Sequence, residues 1–215
     1  CIRDRYSAID ADYHINPLDC EGCGVCVYFC PEKAVDFPEN TCGEWFISDT
    51  RFGPMVHARL GIAEENSGKL VSLVRNEAKA MAEEIGADLI LTDGPPGVGC
   101  PVIASIGNAD AVLVVTEPSV SGIHDLKRTL SLTEHFHVPA MVCVNKYDLN
   151  QKLTDDIHTG AINSHAEVLG RIPFDTAITR AMVQAQTILE YDPSSETSRA
   201  IQAIWQKVSD RVYSQ

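Results

Sequence analysis

Asn108-Ala109-Asp110-Ala111-Val112-Leu113-Val114-Val115-Thr116-Glu117-Pro118-Ser119 is the stretch on which the fold reading turns. From Ala111 to Thr116 the chain is short and almost continuously apolar, then stops at a Glu-Pro-Ser turn. Working outward, residues 88–92, 140–145 and 167–172 repeat the pattern, and stretches 102–107, 120–136 and 155–165 between them read as helices. Apolar strands of this kind are buried on both faces, which implies a parallel sheet flanked by helices, an α/β fold. Residues 176–188 and 196–212 supply two more amphipathic helices, the last carrying Ile201, Ile204, Trp205 and Val208 on one side, with Trp205 read as a packing anchor.

In open parallel sheets ligands sit beyond the carboxyl ends of the strands, so the residues just after each strand are the candidates. After 88–92 comes Asp93-Gly94-Pro95-Pro96-Gly97, in the pattern of a Walker B aspartate and second switch. Asp93 is suited to a magnesium ion or its water shell, since a hard cation takes oxygen ligands. Gly94 and Gly97 permit a backbone that rearranges when a terminal phosphate leaves. An aspartate that only caps the following turn is the plain alternative. After 140–144 comes Asn145-Lys146-Tyr147-Asp148, similar to the Asn-Lys-x-Asp base-reading element of GTPases, and Arg171-Ile172-Pro173-Phe174-Asp175 stands where a loop closes over a base. Gly68-Lys69 invites a phosphate-loop reading but fails it, because Ala63 stands where the first glycine belongs and Leu70 where Ser or Thr belongs. Lys69 is then either a solvated residue near the start of the 69–85 helix or an anion or partner contact. Cys143 reads as core, Cys100 as a small residue more readily buried than reactive, and Cys42 as unmatched.

The second decisive stretch is Asp19-Cys20-Glu21-Gly22-Cys23-Gly24-Val25-Cys26-Val27-Tyr28-Phe29-Cys30-Pro31. Cysteines spaced by two, two and three residues before a proline make an iron–sulfur loop, in which the fourth cysteine usually serves a different cluster from the first three. Zinc sites normally split their cysteine pairs by a dozen or more residues, and disulfides are less expected still. The stretch resembles half of a two-cluster bacterial ferredoxin. The resemblance implies that Cys20, Cys23 and Cys26 share a 4Fe-4S cluster with Cys1, while Cys30 looks to a partner loop. Residues 1–40 form this module, residues 43–50 and 55–60 a β-hairpin, and residues 41–215 the larger part.

The chain has 215 residues, 45% of them hydrophobic, enough for one large core and a small one. A net charge of −13 argues against nucleic-acid or membrane adhesion, and no run approaches a transmembrane span. Scattered cysteines outside the loop point to a reducing, cytoplasmic setting. The absence of an initial methionine and of the upstream half-motif reads as a piece of a longer protein.

The order of Asp-Gly-Pro-Pro-Gly, Asn-Ala-Asp-Ala-Val-Leu-Val-Val-Thr-Glu-Pro, Asn-Lys-Tyr-Asp and Gly-Arg-Ile-Pro-Phe-Asp resembles the C-terminal half of the MinD/ParA/Mrp superfamily of deviant Walker A ATPases. With a ferredoxin module ahead of these motifs, the likeness is to the subgroup with an inserted ferredoxin domain. It implies an ATP- and Mg-dependent homodimer whose complete form holds two 4Fe-4S clusters, at most one fully liganded within this chain, and which serves a redox or Fe–S acceptor protein. Asp93 is then the metal-side aspartate, and Asn145 with Pro173 and Asp175 meets adenine, so Asp148 is no evidence for GTP. The phosphate-binding lysines of that superfamily have no counterpart here, and the chain alone is expected not to hydrolyse ATP. An interaction or redox-sensing module with an inactive ATPase half is the competing expectation.

Overall fold

The computed structural model describes residues 4, 7–16, 19, 20, 22–38, 41, 43–61 and 68–213. They fall into two compact units, Cys1–Leu91 and Thr92–Gln215, each described by itself.

In the first unit an isolated antiparallel bridge joins Ile9 to Ile15, closed by Asp10, whose carboxylate accepts the amides of Asp12 and His14. The four-residue helix α1, Val25–Tyr28, follows the loop that carries Cys20 and Cys23. Strands β1, Gly43–Thr50, and β2, Gly53–Leu60, pair antiparallel from Gly43↔Leu60 to Thr50↔Gly53, so the predicted hairpin forms with Arg51 and Phe52 at its tip. Its register puts Trp45 and Ile47 opposite Ala58 and Val56. Helix α2, Gly68–Ile85, packs against β2.

The second unit is built on a parallel sheet of β3, Val112–Thr116, β4, Ala140–Asn145, and β5, Glu167–Ile172, in that spatial order. Helices α3, Cys100–Ile106, α4, Val120–His135, α5, Gln151–Asn163, α6, Thr176–Val183, α7, Ile188–Tyr191, and α8, Glu196–Tyr213, complete it. The central strand explains the layers. Met141, Val142, Cys143 and Val144 are all at most 3% exposed, so alternate side chains of β4 need cover on opposite faces. Val142 and Val144 pack with Leu126 and Leu130 of α4 and Ile157 and Ala161 of α5. Met141 and Cys143 pack with Leu169 and with Ile204 of α8.

On β5 the register slips: Val142 faces Val168 but Cys143 faces Gly170. The extra residue, Leu169, makes a bulge that lets two successive residues meet the same helix. Leu169 packs on Ile204, and a Cβ on Gly170 would lie 2.6 Å from Ile204 Cγ1, so the bare glycine is the notch that Ile204 fills. Lys207 Nζ donates to the bulged carbonyl of Leu169 at 2.5 Å.

Four expectations are corrected. Residues 88–92 form no strand, and Leu91 is 81% exposed. An apolar run becomes a strand only where a neighbour completes its ladder, and among the described residues this run pairs with no strand. The 176–188 helix breaks after Val183, where Ala185 turns left-handed (φ 53°) and Thr187 with Glu190 forms a capping box that starts α7. The helix expected from 155 begins at Gln151, because the Asn150 side chain accepts the amide of Leu153. Trp205 stays 46% exposed, and Ile204 beside it is the anchor of α8.

Candidate functional site

The candidate residues form two constellations, one in each unit. In the first, Cys20, Cys23 and Cys26 line one pocket. Gly22 (φ 59°) and Gly24 (φ 67°) stand between them in the left-handed conformation that a tight loop of alternating thiols demands. Cys26 is carried by α1, so the loop's last thiol of the three is fixed by a helical turn. The rest of the pocket is mostly apolar, with Ala8, Ile9, Ile15, Val25, Val35 and Phe37, plus the carboxylate-bearing Asp4. Asp4 Oδ2 accepts the amide of Ile9 at 2.8 Å, tying that wall to the bridge.

Cys30 does not line this pocket; its Sγ accepts the amide of Ala34 at 3.3 Å. The four loop cysteines are free thiols. Among the described residues no three Cys, His, Asp or Glu groups converge as they would on a single ion. Three cysteines of one loop on the walls of a mostly apolar pocket are instead the donor set that a polynuclear cluster takes. Cys1, the expected fourth ligand, and Cys42 lie outside the described residues.

The second constellation is the carboxyl rim of the sheet. Asn145 ends β4, in register with Ile172 at the end of β5. The Pro173–Asp175 segment follows directly, and two carboxylates hold it. Asp148 Oδ1 accepts the amide of Phe174 at 2.7 Å. Asp175 caps α6 by accepting the amide of Ala177, and takes a hydrogen bond from Thr197 Oγ1 of α8 at 3.0 Å. Lys146, left-handed at φ 54°, reaches across to Glu117 Oε2 at 3.0 Å, joining the exits of β4 and β3. Arg171 lies over the Tyr147 ring, 5.3 Å from its centroid.

The structure thus brings Asn145, Pro173 and Asp175 to one rim, while Asp93, Gly94 and Gly97 occupy an exposed loop before α3 that makes no bond to that rim among the described residues. Asp93 is exposed. Cys100, expected as a buried small residue, is exposed at the first position of α3. Cys143 is buried as expected, and desolvation pushes its thiol up to about 11. Sequence reading missed Glu117, Thr197 and the use of Asp148, all of which act across long sequence separations.

A parallel sheet flanked by helices, with polar residues gathered at its carboxyl rim, joined to a four-cysteine loop, defines an α/β nucleotide-binding type of protein bearing an iron–sulfur module. The comparisons narrow the class. Residues 79–209 match the ParA model described as NUBPL iron-transfer P-loop NTPase, and the chain belongs to this family. Residues 13–36 match the 4Fe-4S binding domain. An uncharacterized protein of Methanocaldococcus jannaschii is 31% identical over 206 residues, 96% of this chain and 68% of that one. The iron-sulfur cluster carrier protein of the same organism is 24% identical over 139 residues, 58% of this chain and 48% of the carrier. The chain therefore spans about two thirds of the length of the first relative and about half of the second. Among solved structures, the MinD cell division protein of Aquifex aeolicus superposes with a TM-score of 0.57 at 22% identity, over 75% of this chain and 67% of that one, which establishes a MinD-like α/β fold. No helix among the described residues is long and apolar enough to cross a membrane.

Proposed function

We propose that this chain is the cluster-bearing and base-binding part of an ATP-dependent iron–sulfur protein of the MinD/Mrp type, in which nucleotide state governs what a 4Fe-4S cluster can reach. Residues 1–40 form the cluster module and residues 41–215 belong to the nucleotide-binding part. Cys20, Cys23, Cys26 and Cys1 hold one cluster, and Cys30 serves a second. Asp93 is the magnesium-side carboxylate, with Gly94 and Gly97 giving the loop its freedom to move. Asn145, Pro173 and Asp175 meet adenine. The working unit is a homodimer in a reducing, cytoplasmic setting, and its partner is a redox or Fe–S acceptor protein.

The observation that carries the reading is that three cysteines of one loop line one mostly apolar pocket in a chain of the iron-transfer NTPase family. The cluster, when bound, supplies one-electron chemistry. The chain's contribution is to hold it with helix-mounted cysteine, left-handed glycines and a mostly apolar wall, features that favour retention and electron transfer over release. The test is to load the full-length protein with iron and sulfide without oxygen and cycle it with ATP beside an acceptor lacking its cluster. Iron that stays with the protein while the cluster is reduced and reoxidised supports the reading. Iron that moves to the acceptor in step with ATP overturns electron transfer in favour of a carrier.

A further inference from the structure

The Asn145-Lys146-Tyr147-Asp148 element has the look of a guanine reader, yet its two charged side chains are otherwise employed. A carboxylate reads guanine by accepting from the ring N1–H and the exocyclic amino group together, which takes both oxygens. Asp148 Oδ1 already accepts the Phe174 amide at 2.7 Å, and Lys146 is paired with Glu117 at 3.0 Å. The bond from Asp148 spans 26 residues and lands in the middle of the Pro173–Asp175 segment. At the next residue Asp175 turns inward to cap α6 and meet Thr197. The segment is therefore pinned at consecutive residues, from β4's exit on one side and from α8 on the other.

From this geometry we infer that Asp148 is a positioning residue that latches the base-facing loop and, by spending its carboxylate there, removes guanine selection from the site. The inference rests on the proposed assignment of this rim to base binding. Adenine offers an exocyclic amino group but no ring N–H beside it, so a rim with one carboxylate oxygen engaged loses no paired contact with adenine and weakens the paired contact with guanine. The latch replaces side-chain readout by backbone held at fixed depth, since a loop fixed before binding spends less of its binding energy on ordering.

The test uses the full-length protein with two substitutions and two readouts. Hydrogen exchange of the Phe174 amide is expected to be slow in the wild type. It should accelerate about tenfold in Asp148→Ala and stay within about threefold of wild type in Asp148→Asn, which keeps an acceptor oxygen in place. In parallel, ATP, GTP and XTP are titrated. Under the latch, Asp148→Asn keeps the wild-type preference among the three, and Asp148→Ala weakens ATP several-fold. If Asp148 reads the base, Asp148→Asn loses GTP and gains XTP about tenfold or more, because an amide N–H complements the second carbonyl of xanthine; that result overturns the inference. An unchanged Phe174 exchange rate in Asp148→Ala overturns it as well. Failure of the wild type to bind any of the three nucleotides defeats the base-binding assignment and the selectivity with it, while the exchange measurement still decides the latch.

Discussion

Replacing Gly122 by alanine tests whether the start of α4 is seated as tightly against the exit of β3 as the structure describes. A Cβ at Gly122 would lie 2.4 Å from the backbone oxygen of Glu117, 3.0 Å from Ser119 Oγ and 3.1 Å from Thr116 Oγ1. The closest atom is main chain, held in the turn where the Ser119 amide donates to that same Glu117 oxygen, so it cannot swing away as a side-chain tip would. Relief requires α4 to lift. That loosens the bond from the Gly122 amide to Ser119 Oγ, which caps the helix, and the bond from Thr116 Oγ1 to the Gly122 carbonyl. Overpacking of this kind costs about 1–3 kcal/mol and a weakened hydrogen bond about 1 more, offset by the roughly 0.5–1 kcal/mol that alanine gains over glycine in a helix, so Gly122→Ala should destabilise by about 1–3 kcal/mol. The internal control is Gly160→Ala in α5, where a Cβ meets nothing within 4 Å. There alanine only reduces the freedom of the unfolded chain and favours the helix, for a gain of about 0.5–1 kcal/mol. Urea denaturation followed by circular dichroism reads both. A Gly122→Ala midpoint equal to wild type, or a Gly160→Ala variant that is the less stable of the two, would refute the packing argument.

Three further outcomes are expected. Because the folded Cys143 thiol is raised from 9.0 to about 11, above pH 9 the unfolded chain loses a proton that the folded chain keeps; stability should then fall between pH 9 and about 11 by on the order of 2–3 kcal/mol, and Cys143→Ala should flatten that part of the denaturation-versus-pH curve. Cys23→Ser should abolish the iron–sulfur absorption of the reconstituted 215-residue chain, whereas Cys30→Ser should leave it largely intact; equal loss of iron in both would contradict the separate placement of Cys30. Phosphate release from ATP by the 215-residue chain should not rise above the blank, since no lysine in it sits in a phosphate-loop pattern, and measurable turnover would remove that reasoning.

The sheet was legible in the sequence where burial on both faces wrote itself as an apolar run: β4 is read correctly because both of its faces meet helices. The run at 88–92 has an apolar centre too, Leu89 to Leu91, but pairing is a property of two segments and cannot be read from one. The break before α7 had a local signal in the spacing of Thr187 and Glu190, a capping box that straddles the end of the helix read over 176–188. The cysteine loop was legible because its spacing is rare, and the pocket then brought together the three thiols that the spacing groups. The rim was legible only in part. Asn145, Pro173 and Asp175 follow from strand ends, but the bonds from Lys146 to Glu117 and from Asp148 to Phe174 join residues 29 and 26 positions apart, which no local pattern encodes.

The spatial order of the strands, β3 beside β4 beside β5, repeats their order along the chain. Emerging from the ribosome, β4 and then β5 find a neighbour already made, and α4 or α5, synthesised in between, is at hand to cover the face just formed. The last of the described elements to be made is α8, whose Ile204 drops into the gap at Gly170 and covers Cys143 from the other side. Until that helix is released, one face of the nascent sheet stays greasy and sticky, so a chain stalled or cut short of Ile204 is a substrate for chaperones and proteases, with the rim half built.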